Sequence, residues 1–209
     1  GYSFRSDEPT DKMLVVKCTE SGELLWEKTY GSEVNHRANS VVATPDGGCF
    51  IAGGATELSS NRFLRMIVCR FSTEGDLVRS SQVLKDKGVG YLFCAADAPE
   101  GKLAVAGVLA VRAGQQQQPC FALLDEDLNV LDWQTVSMPF DCRTRAIATN
   151  PAGGFIIGGN EYLGHESAAF LAVIRGQSPA LKIKDVNDAP VLLFPNPFSD
   201  FTYLKVGEP

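Results

Sequence analysis

Two short stretches of this 209-residue chain hold the side chains best suited to binding a charged ligand. Each stretch mixes acidic and basic groups just before an apolar, strand-like run, and together they contain Glu33, His36, Arg37, Asp141, Arg143 and Arg145. A guanidinium can donate two parallel hydrogen bonds to a carboxylate, so three converging arginines would suit a carboxylate or an acidic sugar. The competing interpretation is ordinary salt bridging between neighbouring parts of the fold.

Catalytic chemistry has less support in the sequence. The two histidines, His36 and His165, lack the spacing of metal ligands, and there is no G-x-S-x-G, phosphate-loop or H-E-x-x-H motif. Two facing carboxylates would suffice for glycoside hydrolysis. The acidic groups at 7–8 and 125–127, however, fall in loops, where a solvated turn role is the simpler interpretation. The sequence therefore predicts no catalytic residue, metal or cofactor, and it leaves enzymatic activity open.

Composition narrows the classes of partner and compartment. A net charge of −6 without a clustered Lys/Arg excess argues against nucleic acid. No apolar run approaches the ~20 residues of a membrane-spanning helix, and GYSFRSDEPT is not a signal-peptide pattern, so any export signal or lipid anchor would have to precede Gly1. The six cysteines lack C-x-x-C spacing and several lie in apolar runs, which predicts mostly free, buried thiols.

The elements that would position the candidate residues follow a regular spacing. Residues 41–54, 94–107 and 146–159 each contain an apolar run, a turn with Pro and Gly, and a second apolar run that closes on Gly. The closing glycines are 107 − 54 = 53 and 159 − 107 = 52 residues apart. Each stretch is predicted to be a β-hairpin, with the glycine pairs 53–54 and 158–159 interpreted as strand-end turn residues rather than nucleotide motifs.

A second type of hairpin alternates with the first. It is predicted at 13–30, 65–84, 120–136 and 170–183. Trp26 and Trp133 fall in equivalent strands of this hairpin, which favours packing between units over stacking on a sugar. The two types together form a unit of four antiparallel strands in about fifty residues, without helical segments between units, and this pattern is typical of a β-propeller blade. The connections within each unit, at 55–62, 110–119 and 160–168, are predicted to be surface loops.

The number of blades depends on how the ring closes. Three copies of the first hairpin face four of the second, which predicts an all-β propeller of four blades, residues 1–188, closed by strands from both termini. The apolar tail, 189–209, is expected to pack on the propeller as the closing strand. A larger ring, completed by another domain or a second chain, is the alternative.

Two segments resemble known families. DKMLVVKCTESGELLWEKTYG and SVVATPDGGCFIAGG resemble propeller-like repeats of exported Bacteroidetes proteins, and the likeness covers about residues 11–183. LFPNPFSDFTYLKV resembles the start of the C-terminal sorting domain of the type-nine secretion system. These resemblances imply a periplasmic, outer-membrane-surface or extracellular protein, and they bring no catalytic residues. We therefore expect a non-catalytic binding or scaffold module for protein or glycan; the alternative is a carbohydrate-active enzyme with carboxylates at the channel mouth.

Overall fold

The computed structural model describes residues 1–3, 10–31, 34–56, 63–150, 154–163 and 166–174, together with two short strands at 191–192 and 203–204. Their regular secondary structure is β-strand, apart from a 3-10 turn at Pro99–Gly101. The all-β prediction is therefore confirmed. The chain divides into two compact units, Gly1–Gly176 and Gln177–Pro209.

The first unit contains four antiparallel sheets, and within each sheet the neighbouring strands follow one another in sequence. Sheet A contains β1 (Tyr2–Ser3), β2 (Lys12–Cys18) and β3 (Leu24–Tyr30). Sheet B contains β4 (Asn35–Ala43), β5 (Cys49–Thr56), β6 (Phe63–Phe71) and β7 (Leu77–Val83). Sheet C contains β8 (Val89–Asp97), β9 (Leu103–Ala110), β10 (Gln118–Leu124) and β11 (Val130–Thr135). Sheet D contains β12 (Cys142–Thr149), β13 (Phe155–Leu163) and β14 (Glu166–Ile174).

The three hairpins of the first predicted type are present as β4–β5, β8–β9 and β12–β13. Each has a register shift at a corresponding place in its first strand, which leaves one extra residue: Asn39, Phe93 and Arg145. Such a bulge bends a strand and increases its twist. The first strands of sheets B, C and D therefore share one local geometry.

Glycines face these strands just beside the bulges. Gly53, Gly107 and Gly159 pair with the residue before each extra one, and a Cβ atom on any of them would collide with a carbonyl oxygen of the first strand. The glycines lie inside β5, β9 and β13. Interpreting Gly53 and Gly159 as strand-end turn residues was therefore wrong, because the strands need glycine here for close backbone approach.

The sheets pack face to face in chain order. Strand β2 contacts β4, β8 contacts β4, β5 and β6, and β12 contacts β8, β9 and β10. The central strand β9 is buried on both faces. Its Leu103 and Val105 join the core shared with sheet B, whereas Ala104 and Ala106 join the core shared with sheet D. A third core, around Met13 and Ile51, lies between sheets A and B.

The ends of this stack are open. Sheet A has three strands in the order β1-β2-β3, and sheet D has three in the order β12-β13-β14, so no sheet is closed into a ring among the described residues. In the second unit, β15 (Val191–Leu192) and β16 (Tyr203–Leu204) pair with each other. Of the hairpin predicted at 170–183, the first strand is present in β14, whereas 175–183 lie outside the described residues. Most of 189–209 also lies outside them, so the closing strand and the count of four blades stay predictions.

Two further expectations can be compared with the structure. Of the loop predicted at 110–119, residues 111–117 join β9 to β10 and are largely exposed, whereas Ala110 ends β9 and 118–119 begin β10. The loop predicted at 160–168 was mostly wrong, because β13 continues to Leu163 and β14 begins at Glu166. Of the loop predicted at 55–62, the first two residues end β5 and the rest lie outside the described residues.

Trp26 packs between sheets A and B, where its Nε1 donates to the Thr73 carbonyl at 2.9 Å. Trp133 lies in the equivalent strand, β11, as predicted, but one position further along: the register places Asp132 opposite Leu123, where Trp26 is opposite Lys17. Trp133 lies beside Lys87, whose Nζ is 5.3 Å from the ring centroid. A one-residue shift exchanges the two faces of a strand.

Candidate functional site

The candidate residues lie at the starts of β4 and β12, two first strands that both contact β8. They were predicted to precede the strands, but His36, Arg37, Arg143 and Arg145 lie within them. The amide of Ala95 in β8 donates to the Ser40 hydroxyl of β4 at 3.0 Å, and the Asn39 side chain donates to the Leu92 carbonyl at 2.7 Å. Strand β12 contacts β8 in turn. In each first strand, one residue pairs with the glycine described above. The residue before it is Arg37 in β4, Tyr91 in β8 and Arg143 in β12, so these three occupy corresponding positions.

Arg37 is held by an ion pair. Its Nη2 and Nε atoms donate to Asp11 Oδ2 at 2.8 and 3.1 Å, and its guanidinium carbon lies 4.8 Å from the Tyr2 ring centroid. The Asp11 hydrogen bond raises the pKa of Arg37 above its ordinary value. The Asp11 amide is itself bonded to Asn35 Oδ1 at 2.9 Å. This arrangement joins the segment before β2 to β4, which supports the salt-bridge interpretation for Arg37.

His36 is part of the interior rather than a ligand-facing group. It is 4 % exposed, packs edge-on against Tyr30, and lies with Nδ1 2.8 Å from the Val34 carbonyl. A carbonyl can only accept, so Nδ1 carries the proton. Burial lowers the pKa of His36, and the Arg65 charge acts in the same direction against the Val34 hydrogen bond. A buried neutral imidazole of this kind serves packing.

The second group is gathered around a tyrosine that the sequence interpretation missed. The Arg143 guanidinium carbon lies 5.9 Å from the Tyr162 ring centroid, and Arg145 Nη2 lies 3.5 Å from the Tyr162 hydroxyl. Both arginines are exposed, Tyr162 is 37 % exposed, and neither arginine has an ion-pair partner among the described residues. The result is an accessible surface with two cationic groups and an aromatic ring.

The two carboxylates of this region are bonded to backbone amides. Asp141 Oδ1 accepts from the Gln117 amide at 2.7 Å, and Glu161 Oε1 accepts from the Phe140 amide at 3.1 Å. The pKa of the Cys142 thiol is raised to about 12, chiefly by burial and then by the charges of Glu161 and Asp141. Both acids therefore lie near one thiol. Their hydrogen bonds fix the connections around β12.

The structure thus divides the predicted site into two groups. His36 and Arg37 meet at Asp11, because the His36 amide also donates to the Asp11 carbonyl at 2.8 Å. Asp141, Arg143 and Arg145 meet at Tyr162, whose amide donates to the Asp141 carbonyl at 2.8 Å. Glu33 and His165 lie outside the described residues. Tyr162 was missed because residues 160–168 were predicted to be a loop, whereas β13 continues to Leu163 and pairs with β12.

Comparisons and searches give no functional assignment. The chain matches no protein-family model, and no curated protein is significantly similar to it. No group of three or more His, Cys, Asp or Glu side chains is placed to hold a metal ion in the part of the chain that the structure describes. Over the same residues, no helix has both the length and the apolar character needed to cross a membrane.

Proposed function

We propose that this protein is a non-catalytic, exported binding or scaffold module that recognises a protein or glycan at the surface formed by Arg143, Arg145 and Tyr162. The observation that carries the proposal is the pair of exposed arginines on one tyrosine, with no carboxylate partner among the described residues. Guanidinium groups form bidentate hydrogen bonds with carboxylates, and a tyrosine ring can stack against a sugar or an apolar side chain. The ligand is therefore an acidic glycan or an acidic peptide segment.

The proposal includes a β-propeller architecture. It is supported by sheets that pack face to face in chain order, by first strands bonded side by side, and by bulges at corresponding positions. In a propeller the first strands line the central channel, which would place the arginine surface at one mouth. Small-angle X-ray scattering and light scattering on the purified chain would give its shape and mass in solution, and would thereby separate a closed monomer from a ring completed by a second chain.

Export and a Bacteroidetes origin are proposed on the resemblance of residues 11–31, 40–54 and 193–206 alone. The resemblance of the last segment to a type-nine sorting domain gives a direct test. A reporter placed between a periplasmic signal peptide and the full chain should reach the surface or the medium in a bacterium with this secretion system and stay in the periplasm without it. Equal distribution in both strains would contradict this part of the proposal.

The binding proposal is tested on arrays of acidic and neutral glycans and peptides. The chain is expected to retain acidic ligands, and the double variant R143Q/R145Q should bind them at least tenfold more weakly, because two charge-assisted contacts are lost. R112Q is the matched control, since Arg112 is exposed on the 111–117 connection. Unchanged binding by the double variant, or no binding to any acidic ligand, would contradict the proposal.

The second candidate function is a carbohydrate-active enzyme. It is favoured by one observation: Asp141 precedes Cys142 in the chain and Glu161 pairs with Cys142 across β12 and β13, so two carboxylates lie near the same thiol. Against it, each carboxylate already accepts a backbone amide. Glycan hydrolysis by the chain, abolished in D141N or E161Q and retained in D86N, would establish this function instead.

A further inference from the structure

The junctions between successive sheets can be compared residue by residue. Sheets A, B and C each have a register shift in the hairpin of the second predicted type, β2–β3, β6–β7 and β10–β11. The residue just before the shift is Lys17, Arg70 and Leu123, respectively. The residues paired with them are Trp26, Arg79 and Asp132. These side chains lie where each sheet meets the next one.

The first two junctions are held by a cation. Lys17 Nζ donates to the Thr73 carbonyl of sheet B at 3.1 Å, and Arg70 Nη1 donates to the Glu126 carbonyl of sheet C at 3.4 Å. The paired residues donate further hydrogen bonds across the same junctions. Trp26 Nε1 also donates to the Thr73 carbonyl, and Arg79 Nη1 donates to the Asp127 carbonyl at 3.2 Å. A donor from one sheet thus reaches a turn of the next sheet at both junctions.

The third junction, between sheets C and D, is built differently. The corresponding position holds the uncharged Leu123, and its paired residue is the acidic Asp132. A cavity of about 310 Å³ lies here, which is within the lower range for small-molecule sites. Its lining includes Leu123, Asp132, Phe121, Phe155, Ile174 and Asn150, together with Glu100 and Lys102, which form an ion pair with each other.

The lining combines two aromatic rings with a carboxylate. The rings of Phe121 and Phe155 lie 5.0 Å apart between centroids, and both side chains belong to the core between sheets C and D. Asp132 is half-buried, and its Oδ1 accepts the Trp133 amide at 2.8 Å. Asp132 has no ion pair among the described residues.

We propose that this cavity is a second binding site, distinct from the arginine surface, and that it takes a small amine carrying one aromatic ring. The ring packs on Phe121 and Phe155, and the ammonium group lies against Asp132. The ligand thereby supplies the cation that Lys17 and Arg70 supply at the other two junctions. A neutral or anionic ligand of the same shape would leave the carboxylate unpaired, which is costly in a partly buried place.

The test uses the full chain and 2-phenylethylamine, with 2-phenylethanol as the neutral comparison, in calorimetric titrations. We expect saturable binding of the amine and at least tenfold weaker binding of the alcohol. D132N should weaken amine binding by about tenfold or more and remove this preference, whereas D86N, in an exposed turn, should change neither.

A second variant tests the comparison between junctions. L123R places in the chain the cation that the ligand is proposed to supply, so it should abolish amine binding while the circular dichroism spectrum stays that of the parent. If L123R does not fold, the proposal is tested by amine binding to D132N and by the affinity of the parent chain for 2-phenylethanol. Absence of saturable amine binding, equal affinity for amine and alcohol, or full amine affinity in D132N would overturn the proposal.

Discussion

Lys17 and Thr73 lie 56 residues apart, yet the Lys17 ammonium donates to the Thr73 hydroxyl at 2.9 Å and to its carbonyl at 3.1 Å. A third bond, to the Gly47 carbonyl at 2.9 Å, gives the ammonium three acceptors for its three protons. All three acceptors belong to turns of sheet B. One side chain of β2 therefore connects sheet A to both turns at this end of sheet B.

K17M should lower the free energy of unfolding by about 1–2 kcal/mol, because charge-assisted hydrogen bonds are lost while the apolar stem is kept. The measurement is a urea unfolding curve. K28M is the matched control: the Lys28–Asp76 pair is exposed and 3.7 Å long, so its loss should cost about 0.5 kcal/mol or less. Equal effects of the two variants would show that the Lys17 contacts do not stabilise the junction.

G107A should be strongly destabilising, by about 3 kcal/mol or more, because its Cβ would collide with the Tyr91 carbonyl inside a fully buried strand. G114A is the control. Gly114 has a φ of 82° but open space around it, so only backbone strain of about 1–2 kcal/mol is expected. Thermal unfolding of both variants checks the difference, and a G107A protein as stable as G114A would contradict the close approach described here.

Stability should fall as the pH drops through about 6.5, the ordinary pKa of histidine. Because burial lowers the pKa of His36 in the folded state, the unfolded chain binds the proton more readily in this window. The contribution of neutral His36 to the free energy of unfolding is complete above the unfolded-state pKa and is lost as the pH falls towards the folded-state pKa. Melting temperatures between pH 7.5 and 5 measure it.

H36F should flatten this pH dependence while keeping a ring against Tyr30, whatever its effect on stability at neutral pH. H165Q serves as the control for the other histidine. If H36F retains the full pH dependence, the titrating group is not His36.

Thiol labelling should distinguish Cys18 from the other cysteines. All six cysteines are free, Cys18 is exposed, and the rest are buried, which confirms the expectation of free, mostly buried thiols. Burial raises the pKa of Cys69, Cys94 and Cys120 to about 12, so few thiolates form near neutral pH.

A chromogenic disulfide reagent is expected to modify one thiol per folded chain and six after denaturation. C18S should abolish the reaction of the folded protein. Rapid modification of several thiols under native conditions would show that the cores between the sheets open far more readily than their packing indicates.

Local pattern was enough to predict much of the fold. Alternating apolar residues and turns with Pro and Gly located the hairpins β4–β5, β8–β9 and β12–β13, because strand period and turn chemistry act over a few residues. The equivalent strands of Trp26 and Trp133 were predicted, but their different registers were not, since the register shift between Leu123 and Leu124 lies within one strand pair and leaves no mark in composition. The same limit led to the wrong interpretation of Gly53 and Gly159.

The candidate site depended on contacts between distant segments. The sequence by itself determined that Arg37 and Arg143 occupy corresponding places next to the first apolar runs of two units, because that follows from spacing along the chain; the structure includes both residues in the strands. Only the tertiary structure decided that Arg37 pairs with Asp11 while Arg143 lies over Tyr162, and that Leu123 leaves a cavity where Lys17 and Arg70 form hydrogen bonds. The physical reason is that charge pairing, burial and cavity volume are set by the side chains that packed sheets bring face to face, and those partners lie tens of residues apart.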